Sequence, residues 1–502
     1  MKKSLIALVA CLLVASMAFV GCSKGGATQG KDLVVIALQG EPTTLDPQFS
    51  DDGNSRTVTD NVFEKLMELD GKTLQPVYGL ATEYKNVDAT TWEFTIRPNV
   101  KFHDGTVLSA DDVVFSIMRI IDPAYKSQIA GNFASIKSAT AADKMKVRIV
   151  TDGPDPILLK RLTKLDIVCK KWVEANKDKV ATTAVGTGPY KVTAWNRGVD
   201  IQTAVYDGYW GKKPAIKNAK YRFIQEASTR LSALKANEVN FAVNMLPEYV
   251  KELPKAATEK SLEVYWIRFN QLRGPMVKPE MRLAANLAVD RQTLADTLFA
   301  GAAAPAEGQM AKEGYVGFST AVKAYPFDKA KAQELLKKAG YKGEVIELVS
   351  ERGRWLKDGE VTEAVAAMLV DAGFNVKIKF LSWQEWLDTL FNRDKAPAMQ
   401  YSSSGNEFFD MDRAYSSMVD SKGSQSAMSD PAIDAKIAEA RKEMDPAKRQ
   451  ALYDELAKHF YENPFGIPLL NLKDIYGMST NLSWTPRQDS RVTVYEMSFA
   501  TK

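Results

Sequence analysis

In "SKGGATQGKD", residues 23–32, Gly25, Gly30 and Lys31 nearly spell the glycine-rich loop that cradles a nucleotide's phosphates. That chemistry needs a buried strand before the loop, a helix after it, and a Ser or Thr hydroxyl beside the lysine to reach magnesium. Asp32 stands where the hydroxyl would be and would repel phosphate, so no nucleotide site is expected. Other chemistry-bearing patterns are as sparse. The two histidines, His103 and His459, lie far apart in the chain, too few for a His-based triad or a metal cluster. No G-x-S-x-G elbow or H-E-x-x-H helix occurs, and the glycines of "VGTGPYK" run into Pro189, which breaks the dinucleotide pattern. Asp111-Asp112 suits a helix start better than acid/base work. The chain therefore does not read as an enzyme, and neither cofactor nor metal is expected.

Composition narrows the class further. At 502 residues the chain is too long for one ordinary core and predicts two or three domains. A formal net charge of +4, with Lys and Arg scattered rather than grouped around aromatics, gives no footprint for nucleic acid. Lys2 and Lys3 precede an apolar run at 4–20 closed by Gly21 and Cys22, the order of a secretory signal. "FVGC" resembles a lipobox, with Phe19 where Leu is usual, which implies a signal at 1–21 and a diacylated Cys22 as the new N-terminus. Residues 22–32 then form a Gly/Ser/Thr-rich tether. With Cys11 removed and Cys22 lipidated, Cys169 has no disulfide partner, so the fold must rest on its core.

The positioning elements follow from periodicity. "LVVIAL" at 33–38 reads as a strand, 56–69 as a helix stopped by Asp70-Gly71, and 91–102 as a strand with Trp92, Phe94 and Ile96 on one face. Ser109 with Asp112 makes an N-terminal box for a helix ended by Asp122-Pro123. Pro279 opens a helical stretch reaching Phe299, with Gly301 as its stop. Two α-β units recur at a spacing of 33 residues, with Gly340 and Gly373 each ending a helix before a strand. Asp445-Pro446 starts a helix to Tyr461 that carries His459, and "RVTVYEMSF" reads as a closing strand.

"GEPTTLDP" (40–47), "TWEFTIRPNVKFHDGTVLSADDVVFSIMR" (91–119), "VGTGPYKV" (185–192), "YDGYWGKKP" (206–214) and "RLAANLAVDRQTL" (282–294) together resemble the family 5 extracellular solute-binding proteins, in order and over nearly the whole mature chain. The resemblance implies an α/β fold: a periplasmic-binding-protein-like, two-lobed clamp of three domains with a ligand cleft between the lobes. Domain I would comprise 33–54, 187–272 and 474–502, domain II 55–186, and domain III 273–473, with chain crossings near 269–274 and 471–474. It also implies an extracytoplasmic, lipid-anchored monomer that delivers an oligopeptide or dipeptide-like solute to ABC permease subunits with cytoplasmic ATPases. A nickel chelate, sugar or opine, or a surface lipoprotein that no longer transports, are the alternatives. The implied ligand-binding residues are Glu41, Trp386, Tyr401, Ser404, Asn406, Glu407 and Asp410. Aligning "MQYSSSGNEFFDMD" (399–412) with peptide-binding relatives puts Ser404 where they carry the Asp that pairs with a peptide amine, so Asp410 or Asp412 must replace that charge or the ligand lacks the amine. The stripe of Trp383, Trp386, Leu387 and Leu390 reads mainly as core.

Overall fold

Two long antiparallel strands, Lys255–Phe269 and Gly466–Met478, organise the computed structural model, which describes residues 32–50 and 52–500. The signal, Cys22 and the tether up to residue 31 lie outside the described residues. The pair runs Lys255–Lys260 against Met478–Lys473 and Val264–Arg268 against Asn471–Gly466, and the ladder breaks between Lys260 and Val264, with a smaller register shift between Tyr265 and Trp266. On one side of the break the pair meets Phe241–Ala242 and then Leu33–Leu38, Asn218–Phe223, Asp200–Val205 and Tyr190–Asn196. On the other it meets Met399–Gly405, Ile346–Ser350 and Val376–Phe380. One sheet path thus joins the strands on both sides of the break, which lies at 261–263, opposite Leu472. Buried carbonyls freed by a bulge need donors. Lys312, 3% exposed, donates its ammonium to Ser261 O and Glu263 O.

A separate antiparallel sheet, in the order Ala81–Asn86, Thr91–Ile96, Lys146–Thr151, Ile136–Asp143, carries the helix Ala110–Ile121. Trp92, Phe94 and Ile96 alternate inward as their spacing predicts, and the Asp112 carboxylate accepts from both Ser109 N and Ser109 Oγ. The repeated α-β units are present too. Helices Lys329–Lys338 and Asp358–Asp371 lead into Ile346–Ser350 and Val376–Phe380, which pair in parallel. Gly340 (φ +66°) and Gly373 (φ +103°) adopt the left-handed conformation that stops each helix.

Three expectations fail for identifiable reasons. The 56–69 helix is short, Gly53–Thr59, because the carbonyls of Asn61 and Val62 are taken by Tyr190 N and Gly188 N, and Met67–Leu69 pairs as a strand with Pro76–Tyr78. The helical stretch before Gly301 is two helices, Pro279–Leu287 and Arg291–Phe299, the second capped by Asp290. "RVTVYEMSF" forms a strand only at Ser498–Phe499, since Val492 O and Val494 N bond the side chain of Asn61 instead of a ladder. The "VGTG" glycines are steric: a Cβ on Gly186 would lie 2.0 Å from Val62 O. His103 completes this junction, with its ring nitrogens on Gly188 O (2.9 Å) and Gly186 N (3.3 Å), and burial pushes its pKa down to about 4.

Candidate functional site

Asp52 caps the helix Gly53–Thr59 by accepting from Asn54 N, Ser55 N and Ser55 Oγ, and this fixes the helix start at the mouth of a gap between the lobes. Facing it is the loop that follows strand Ile346–Ser350 and leads into helix Asp358–Asp371. Two adjoining hollows of about 490 and 570 Å³ share Asp52, Gly53 and Arg354. Each is within the range of small-molecule sites. The lining is polar, with Gln39, Asn54, Gln225 and Asn244 on one side and Glu407 and Arg413 on the other.

Most charges around this cleft are already spent. At its floor Lys65 lies 2.8 Å from both Asp60 and Asp166, Arg491 is 3.1 Å from Glu68, and Arg487 is 2.7 Å from Asp489. Burial alone would raise Asp60, but Lys65 and Arg491 outweigh it and hold the carboxyl below its usual range; Asp166, where burial wins, is pushed up to about 6. Glu407 spans the gap, 3.6 Å from Arg56 and 3.4 Å from Lys164. Two guanidiniums remain. Arg354 lies over the Trp383 ring at 5.2 Å and Arg413 is exposed, and neither makes an ion pair among the described residues. An unpaired guanidinium in a polar cleft is a fork of donors suited to a carboxylate. Neither His103 nor His459 lines the two hollows.

Of the residues expected at the site, only Glu407 lines these hollows. Glu41 holds the hairpin at 190–205, accepting from Trp195 Nε1 (2.8 Å) and Gly198 N (3.1 Å). Trp386 is 2% exposed, stacked at 5.0 Å on the half-open Trp383, and donates to Tyr401 O (3.1 Å). Tyr401 is fully buried against Tyr265 and Trp355. Ser404 pairs with Val264 in the sheet, and Asn406 donates to Asp410 O (2.7 Å). Asp410 is fully buried, with both carboxylate oxygens on Arg449 (2.6 and 2.8 Å), so it is no free counter-charge for an amine. Asp412 lies 3.1 Å from Arg441. Arg354 carries little sequence signal: "ERGRW" reads as a polar loop, and an arginine between glycine and tryptophan just ahead of a helix start is its one mark.

The model for bacterial extracellular solute-binding proteins, family 5 middle region, matches residues 75–426. The chain is similar to the glutathione-binding protein GsiB of Escherichia coli K12, 26% identical over 96% of this chain and 95% of that one. Among solved structures, HbpA2 of Haemophilus parasuis superposes with a TM-score of 0.84 at 20% identity, covering 93% of this chain and all of that one. The periplasmic binding protein DppA of Helicobacter pylori, solved in complex with the peptide STSA, gives 0.74 at 25% identity over 93% and 98%.

Proposed function

Since the chain belongs to the bacterial extracellular solute-binding proteins of family 5, we propose that it captures a short peptide or peptide-like solute by its carboxylate and hands it to an ABC permease. Arg354 carries this reading: an unpaired guanidinium shared by both hollows between the lobes. Glutathione and STSA, the ligands named for two of its relatives, are both peptides and support the same class. A ligand that touches both lobes favours the closed form by its differential affinity, and the break in the crossing strands is the natural hinge. The domain ranges given above, with this break as the joint, are the division that accompanies the proposal. Glu407 and Arg413 are the accompanying cleft residues, while Trp386, Tyr401 and Asp410 support them from behind. We assign capture to an extracytoplasmic monomer held by lipid on Cys22.

Equilibrating the purified protein with a random tripeptide library, as free acids and as C-terminal amides, tests the ligand class. Mass spectrometry after gel filtration is expected to find acids retained and amides washed out. Retention of no peptide, or equal retention of both forms, sinks the proposal. The anchor is tested by fatty-acid labelling of cells. Cys22→Ala is expected to abolish the label, and an equally labelled variant would exclude Cys22.

A further inference from the structure

The cleft arginine sits on a loop whose shape one carboxylate dictates. Asp358, 3% exposed, takes Gly353 N (3.0 Å) and Gly359 N (2.7 Å) on Oδ1, and Arg354 N (2.9 Å) and Trp355 N (2.9 Å) on Oδ2. Glu351, 4% exposed, accepts from the same Arg354 N at 2.8 Å. The turn passes through two left-handed residues: Gly353 (φ +87°), a conformation glycine takes at no cost, and Lys357 (φ +58°), which holds only where the surroundings enforce it. From behind, Tyr265 OH donates to Leu356 O (2.8 Å), and Trp355 packs edge-on against Trp386 and Tyr401. Arg354 thus projects into the cleft from a backbone that four N–H bonds to a single side chain have fixed.

We propose that Asp358 and Glu351 act as one positioning unit for Arg354, together holding its backbone and keeping the loop closed around the Asp358 carboxylate. This inference rests on the reading of Arg354 as the carboxylate anchor. Two buried carboxyls that accept from one backbone N–H, that of Arg354, cannot both ionise cheaply. Burial, then the hydrogen bond and charge of Asp358, push Glu351 up to about 7. The other groups facing it are Arg354 from its own loop and Tyr401 from the strand Met399–Gly405, while Asp358 is faced by Tyr265 and Tyr401, with Glu263 beside those two tyrosines. Arg352 and Lys357 turn to Glu363 and Glu248. Below that pKa Glu351 is neutral and donates to Asp358. Above it the two carboxylates repel, the loop loosens, and Arg354 is held less well. Affinity for a carboxylate ligand therefore falls as pH rises through about 7, by at most about tenfold per pH unit, the slope of one linked proton.

Hydrogen exchange across 351–358 in the ligand-free protein, corrected for intrinsic rates, reads the unit directly. Protection is expected to weaken between about pH 6 and pH 8 in the parent, to lose that dependence in Glu351→Gln, and to collapse in Asp358→Asn. With the tripeptide acids as probe, Asp358→Asn is expected to reduce retention about tenfold on the parent background and to add nothing on Arg354→Met, since coupled residues are not additive. A pH-independent exchange pattern, or additive losses in the double variant, overturns the inference while leaving the anchor reading intact. No retention of acids by the parent overturns the anchor reading, and exchange still decides whether the two carboxyls shape the loop.

Discussion

Asp410→Ala is expected to lower stability by about 3–5 kcal/mol, the usual result of removing one partner from a buried ion pair. The carboxylate receives both Arg449 terminal nitrogens, and Tyr453 OH accepts from Arg449 at 2.7 Å, all in the core around Tyr415, Tyr453 and Phe409. Alanine would strand a guanidinium that is 4% exposed. Asp410→Asn keeps one acceptor and should cost less. Denaturant midpoints of the three proteins check the order, and tripeptide retention well below the transition checks the role. A stable Asp410→Ala that no longer retains peptide would return this residue to the ligand. A destabilised variant that still binds places its effect in the core.

Arg354→Met is expected to weaken binding of free-acid tripeptides by about 10–100-fold, the equivalent of losing one charge-assisted hydrogen-bonded contact worth roughly 1.5–3 kcal/mol. Methionine keeps an apolar stem for Trp383 and removes the fork. Arg354→Lys restores charge without the planar donor pair and should recover only part of the affinity. The decisive comparison is with the amides, which have no carboxylate to lose and should bind Arg354→Met and the parent alike. If Arg354→Met still prefers acids over amides as strongly as the parent, the carboxylate sits elsewhere in the cleft, with Arg413 the next to test.

Local signals were the legible ones. Ser109 with Asp112 forms its box as read from the sequence, and Ser382 with Glu385 forms another of the same spacing, because a capping interaction needs only residues three apart. The two α-β units and the inward face of Trp92, Phe94 and Ile96 follow from periodicity for the same reason. Partners distant in sequence were not legible. Nothing near Asp410 announces Arg449 on another helix, so an acid in a promising loop looked available when it was already committed. Asn61 likewise decides the conformation of residues 492–494 from the other end of the chain. The family resemblance supplied the clamp, but most residues it names do not line the two hollows, since alignment to a strand such as Met399–Gly405 fixes position along the chain and not the direction each side chain takes.

The joint between the lobes also dictates an order of assembly. The Thr91–Ile96 sheet and the paired α-β units at 329–380 join near neighbours and can form as soon as they are synthesised. Strand Leu33–Leu38 must wait for Asn218–Phe223 and Phe241–Ala242, and the joint itself waits for Gly466–Met478, which pairs with both Lys255–Phe269 and Phe241–Ala242. Loop-closure entropy makes such distant pairings late and slow. The two halves would therefore fold before they are hinged together, and the last long strand of the chain is the one that turns them into a single machine.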